Sequence, residues 1–301
     1  QPDRTHTHKK QSQYLALWKS SPQHERNHLA GQNHSVEHGG NMCIDGRLLP
    51  ELFLLGMPKT ATTTLAGLLR NAGVMSNCEP FKELKFFDDF IWENGKLTKP
   101  LPSLARANYV HIHPPCPAQR KVIADYTPEH LMMTPLPREY WNNYSTLLAT
   151  YVQFDFYYGF PGKANLPMVL RDLYGRAPSQ RLKFVVTVRE PLAQLQSAYY
   201  FQCCLERLKF RGEPLEISAR QFATELERFV SRRLMVPEMT SLMYARHLRG
   251  YLRYFRPSQF YLVPYRSVFH QNATVRRRVV DGVLAHLGVS PRPAVNVSNM
   301  P

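Results

Sequence analysis

A chain of 301 residues, 44% of them hydrophobic, has material for one large α/β core, and 38 Lys and Arg against 23 Asp and Glu leave a formal charge of +15 that attracts anions. No run of about 20 apolar residues occurs and the first residues lack the charged, apolar and cleavable parts of a signal peptide, which excludes a membrane span within this sequence. Five irregularly spaced cysteines, Cys43, Cys78, Cys116, Cys203 and Cys204, exclude a disulfide scaffold and a CxxC zinc site while leaving one or two disulfides open.

Residues 1–48 are polar, hold six of the twelve histidines and show no sustained apolar period, so they read as a flexible stem ahead of a single domain over 49–301. The irregular histidine spacing points to a solvated linker rather than a metal site. The domain opens with Leu52-Phe53-Leu54-Leu55, a short apolar run that predicts a buried parallel strand. Thr62 to Leu69 predicts a helix with Leu65, Leu68 and Leu69 on one side and threonines at its start. The stretch from about 92 to 180 is rich in Pro and Tyr and predicts a few helical pieces with substrate-contacting loops.

A second strand is predicted at Phe184–Val188, followed by a helix from Pro191, where proline suits a first turn. Helical spacing over Glu238–Phe255, a strand at Phe260–Val263 and a helix over Val275–Leu287 before Gly288 complete the series. Alternating strands and helices predict an α/β domain with a central parallel sheet flanked by helices.

Chemistry concentrates in Gly56-Met57-Pro58-Lys59-Thr60-Ala61-Thr62-Thr63-Thr64, between a buried strand and a helix N-terminus. Unpaired N–H groups and the helix dipole favour an anion there, Lys59 adds a full charge, and Thr60, Thr62, Thr63 and Thr64 add hydroxyls. The triphosphatase pattern GxxxxGK[ST] fails on spacing, and an ordinary strand-to-helix turn is the plain alternative. Downstream, Arg189 ends the second strand and Ser197 stands eight residues later on the next helix, a guanidinium fork and a hydroxyl suited to a second phosphate.

Pro58-Lys59-Thr60-Ala61-Thr62-Thr63 resembles the 5′-phosphosulfate loop of the sulfotransferase family, usually Pro-Lys-[Ser/Thr]-Gly-Thr-[Thr/Ser], and the Arg189 and Ser197 pair resembles that family's 3′-phosphate clamp. The resemblance implies a P-loop-like strand-loop-helix within the sulfotransferase fold, over roughly 50–290. It also implies 3′-phosphoadenosine 5′-phosphosulfate as donor, held by Lys59, Thr60, Ala61, Thr62, Thr63, Thr64, Arg189 and Ser197. The departure is Ala61 in place of glycine: unfavourable if that position has positive φ, harmless if it is already helical.

Lys82-Glu83-Leu84-Lys85-Phe86-Phe87 looks like the Lys-Glu-x-x-Phe-Phe segment of the Golgi glycosaminoglycan branch. By that likeness Glu83 is the general base, its pKa raised if it is buried against Phe86 and Phe87, and Lys59 neutralises the leaving oxygens; a solvated charged turn is the plain alternative. Lys85 and Asp88 are expected to orient the acceptor. Asp125-Tyr126-Thr127-Pro128 resembles the family's Glu-Lys-[Thr/Ser]-Pro segment, which places Tyr126 beside the acceptor. The expected reaction needs no metal.

The expected acceptor is a hydroxyl or amine of an anionic or neutral glycan, with small molecules, tyrosine or non-catalytic glycan binding as alternatives. Nucleic acid is not expected, because the basic residues look dispersed and no recognition helix or RNA-binding aromatic signature occurs. Sequons at Asn33, Asn143, Asn272 and Asn296 point to the Golgi lumen, with a membrane anchor upstream of the given chain as a further expectation.

Overall fold

A computed structural model describes residues 40–79, 82–87, 103–135, 165–210, 218–231 and 242–290. It begins with an antiparallel hairpin, β1 (Cys43–Ile44) and β2 (Arg47–Leu48), turned through Asp45 and Gly46 at positive φ. Met42, Ile44 and Leu48 are buried, and a disulfide joins Cys43 to Cys116. The folded part thus begins before the expected boundary at 48, because three apolar side chains dock a segment whose composition is otherwise polar. Residues 1–39 of the expected stem lie outside the described residues.

The chain continues through β3 (Leu52–Leu55), α1 (Thr62–Asn71), β4 (Met75–Ser76), α2 (Ser103–His111) and β5 (Ile123–Asp125) into a 3-10 turn, Pro128–Met132. After α3 (Leu166–Tyr174) and α4 (Arg176–Ser179) come β6 (Lys183–Val188), α5 (Pro191–Phe210), α6 (Ala219–Ser231) and α7 (Tyr244–Leu252). A short 3-10 turn leads into β7 (Phe260–Pro264), then α8 (Tyr265–Val268) and α9 (Ala273–His286). Five strands pair in parallel in the order β4-β5-β3-β6-β7. This is the helix-flanked parallel sheet that the alternation of elements predicts.

β3 shows why the sheet is covered on both faces. Leu52 and Leu54 pack with Leu65, Leu68, Val280 and Val283 of α1 and α9, while Phe53 and Leu55 pack with Val169, Leu170 and Tyr251 of α3 and α7. Each such side chain contributes about 1.5–3 kcal/mol by leaving water.

The order of strands positions the site. From β3 the chain crosses by α1 to β4 at one edge, and from β6 it crosses by way of α7 to β7 at the other. Because β3 and β6 are neighbours, the loops after them leave in opposite directions and open a crevice at the carboxyl ends of the strands.

Candidate active site

The loop after β3 fills one wall of that crevice. Gly56 N donates to Pro128 O at 3.3 Å, and a Cβ at Gly56 would lie 2.5 Å from both Thr187 Oγ1 and Thr62 Cγ2. Glycine is needed here for close approach. Positive φ falls instead on Lys59, at 70°, and on Ala61, at 77°. Alanine therefore occupies a left-handed position, at a cost of about 1–2 kcal/mol.

Ala61 is also the N-cap of α1 and provides no side-chain cap. By contrast the Glu190 carboxylate accepts from Leu192 N and Ala193 N at the start of α5, and Asn272 caps α9 through Thr274 N. The first-turn N–H groups of Thr62, Thr63 and Thr64 are thus left for a ligand, whereas the equivalent groups of α5 and α9 are partly spoken for.

The threonines divide by role. Thr60 is fully buried, its hydroxyl 2.6 Å from Met57 O and 2.6 Å from Thr187 Oγ1, so that hydroxyl is engaged within the protein and pins the loop to β6. Thr62 Oγ1 accepts from Lys82 Nζ at 3.4 Å. Thr63 is exposed and Thr64 half-buried, both at the open end of the helix.

The second wall is β6 and α5. Arg189 Nη1 donates to Lys59 O at 2.9 Å, and its guanidinium lies 4.2 Å from the centre of the Tyr265 ring. The Lys59 ammonium stands 4.0 Å from the Phe201 ring centre. Burial, and secondarily the Arg189 charge, hold its pKa below the usual lysine value.

Ser197 is half-buried on α5, three residues after Gln194, whose Nε2 donates to Pro58 O at 3.3 Å, and four before Phe201. Residues at these spacings share a helix face, so Ser197 lies on the face of α5 turned to the loop. Tyr244 at the start of α7 closes this wall, accepting from Arg189 N and donating to Gln194 Oε1.

The segment after β4 brings a carboxylate to the same place. Glu83 Oε1 is 2.6 Å from Lys82 Nζ, and Glu83 Oε2 is 3.5 Å from Lys85 Nζ. Burial pushes the Glu83 pKa up, but Lys82 and Lys85 outweigh it and hold the carboxyl below the ordinary glutamate value. The expected upward shift is thereby corrected: Glu83 is an ionised carboxylate paired with two lysines. Lys85 itself has φ 56°, with its N donating to Thr127 Oγ1 at 3.4 Å.

Tyr126 does not belong to the site. Its side chain is fully buried on the α1 and α9 side of the sheet, its hydroxyl donating to Val74 O at 3.0 Å, because alternation along the strand end turns it away from the crevice. Asp88 lies outside the described residues.

Four contributors escaped the sequence reading. Lys82 was in view but passed as a surface charge, and Gln194 shares the helix face of Ser197. Tyr244 arrives from a distant element with no local signal. Glu129 follows Pro128 directly; burial raises its carboxyl pKa, the field of Lys85 opposes this and that of Glu83 adds to it, and its Oε2 is buried without a hydrogen-bond partner among the described residues.

The family model of the sulfotransferase domain matches residues 49–282. The chain belongs to the sulfotransferase family. No curated protein matches it. Among solved structures it is similar to a sulfotransferase from Alicyclobacillus acidocaldarius, at 18% identity over 84% of this chain and 87% of that one with a TM-score of 0.46. It is also similar to the sulfotransferase domain of the curacin biosynthetic pathway, at 13% identity, 85% and 79% coverage and a TM-score of 0.41. A third is the sulfotransferase domain of the Synechococcus PCC 7002 olefin synthase, at 15% identity, 84% and 78% coverage and a TM-score of 0.40. The family assignment rests on the domain match, and it implies a sulfate donor for this sulfotransferase.

Proposed function

We propose that this sulfotransferase carries a sulfuryl group from 3′-phosphoadenosine 5′-phosphosulfate to a hydroxyl or amine of a carbohydrate, a glycosaminoglycan in particular, with Glu83 as general base. The observation that carries the reading is the placement of two cations, Lys59 and Arg189, side by side at an uncapped helix N-terminus. Neither has a salt bridge among the described residues. A doubly anionic ligand relieves their mutual repulsion and satisfies the helix end.

The bound donor supplies an activated sulfuryl group, whose bond to the 5′-phosphate oxygen breaks as a bond to the acceptor oxygen forms, leaving 3′-phosphoadenosine 5′-phosphate. Lys59 and the N–H groups of Thr62, Thr63 and Thr64 hold the 5′ end and neutralise the leaving oxygen. Arg189 and Ser197 hold the 3′-phosphate. Glu83 takes the acceptor proton, Lys82 keeps it ionised and close to the donor loop, and Lys85 orients the acceptor. A charged, lysine-flanked carboxylate beside the donor loop supports a polar, hydroxyl-bearing acceptor rather than an apolar one.

The Cys43–Cys116 disulfide supports residence in the oxidising lumen of the secretory pathway, and the exposed sequon at Asn272 supports a glycoprotein there. No helix among the described residues is long and apolar enough to cross a membrane, so a Golgi anchor would lie elsewhere.

A transfer assay with sulfur-labelled donor across glycans, phenols, steroids and tyrosyl peptides tests the proposal. Label in a glycan is expected. Label confined to phenols, steroids or peptides overturns the carbohydrate acceptor, and no label in any acceptor overturns the enzymatic reading.

A further inference from the structure

Between Glu238 and Asp281 the sequence holds eight arginines, no lysine and no carboxylate. Solvated protein surfaces ordinarily mix the two signs, so a one-sign stretch of this length has a directional field. Arg276 and Arg277 are engaged locally, with the carbonyls of His270 and Gln271 and with Asp281.

Arg249, Arg253 and Arg256 form an exposed row, which the half-buried Arg246 precedes by one turn. The four recur at i, i+3, i+7 and i+10 along α7 and the turn after it. Tyr244, His247, Leu248, Tyr251 and Phe255 of the same stretch face the core, which puts the arginines on the outward flank. Arg249, Arg253 and Arg256 are exposed, and none has a salt bridge among the described residues.

The row has a direction. α7 starts at the crevice, where Tyr244 bonds to Arg189 and Gln194, and leads to Phe260, which pairs with Phe184 near the start of β6. From Arg246 to Arg256 the arginines therefore run about 15 Å from the rim of the crevice toward the opposite end of the sheet.

We propose that this row is a binding track for a long polyanionic glycan, holding its sulfate or carboxylate groups outside the crevice while one residue of the same chain lies at Glu83. The inference rests on the carbohydrate reading of the acceptor. Arginine rather than lysine suits it, since the planar fork grips carboxylate and sulfate oxygens in pairs. Among the described residues this stretch has no exposed aromatic ring of the kind on which nucleic-acid bases stack: Tyr251 and Phe255 are buried and Tyr254 is half-buried.

The test compares three proteins: the parent, an Arg249→Ser/Arg253→Ser/Arg256→Ser variant, and a charge-matched Lys121→Ser/Arg171→Ser/Arg176→Ser control altered at exposed positions off α7. Affinity for a long heparin fraction is measured by titration. The track variant is expected to bind about tenfold more weakly, the sum of several exposed charge contacts, with the control within about twofold of the parent. Transfer to long chains should fall in the track variant while transfer to a disaccharide is retained.

Equal weakening in track variant and control overturns the proposal, since net charge alone would then explain binding. So does an equal loss for single-stranded oligonucleotides or phosphatidylserine vesicles, which would make the row indifferent to the glycan. Affinity for 3′-phosphoadenosine 5′-phosphate, measured on all three proteins, keeps the two readings separable: its absence in the parent overturns the donor assignment while the heparin titration still judges the track.

Discussion

The ammonium of Lys82 lies 2.6 Å from Glu83 Oε1 and also 3.4 Å from Thr62 Oγ1, so one side chain ties the proposed base to the first turn of α1. Among the charges that lower the Glu83 pKa, Lys82 is the largest. Replacing it removes the larger of the two lysine contributions and should raise that pKa. The base must be ionised to act, so the acidic limb of the kcat/KM profile should move to higher pH in Lys82→Met. An unmoved limb would mean that Glu83 is not the titrating base. Glu83→Gln should lower kcat by about 10²–10⁴-fold with affinity for 3′-phosphoadenosine 5′-phosphate retained.

Arg189 offers the sharpest binding test. Its Nη1 already holds Lys59 O, which presets the guanidinium beside the loop. Arg189→Ala should weaken binding of 3′-phosphoadenosine 5′-phosphate roughly thirtyfold or more by calorimetry, and Ser197→Ala by several fold, since charge-assisted bonds exceed neutral ones. Unchanged affinity in both would remove the 3′-phosphate assignment.

At Ala61, φ is 77° and no side-chain cap is made. Ala61→Gly should relieve the left-handed strain, gaining roughly 0.5–1 kcal/mol after the added freedom of the unfolded chain is counted. The expected readout is a melting temperature higher by about 1–2 °C. A lower one would mean that the loop leaves this conformation in solution.

Glu129 should make stability depend on pH in the opposite sense to Glu83. Its folded pKa is raised by burial, with Lys85 and Lys82 opposing and Glu83 reinforcing, so the folded state binds the proton more tightly than the unfolded one. Stability is then lost as pH rises from the ordinary value near 4.3 through the raised one. Glu129→Gln should be more stable than the parent near pH 7.5, by about 1 kcal/mol, and lose that advantage near pH 4. Denaturant titrations at both values check this.

How far these features could be read from sequence follows from their range. Leu52–Leu55 and Phe184–Val188 are continuous apolar runs, visible because both their faces are buried, and the loop and clamp residues sit at fixed offsets from them. The two residues of β4 and three of β5 are too short to carry a period. Tyr126 was misplaced because a motif gives the position of a residue and not the face it turns to. The direction of the Glu83 shift needed both lysines located in space, and the arginine row of α7 was masked by reading the basic residues one at a time. Whether Ala61 had positive φ depends on how the loop closes against Thr187, a contact between distant parts of the chain.

The disulfide between Cys43 and Cys116 closes a covalent ring across a separation of 73 residues, and Lys59, Thr62, Lys82 and Glu83 all lie within it. A pull on the residues before Cys43 is therefore passed across the sulfur bridge to the approach of β5, and the loop after β3 is bypassed. A protein suspended by its N-terminal segment would carry its mechanical load through that bridge, leaving the site slack and its geometry undisturbed.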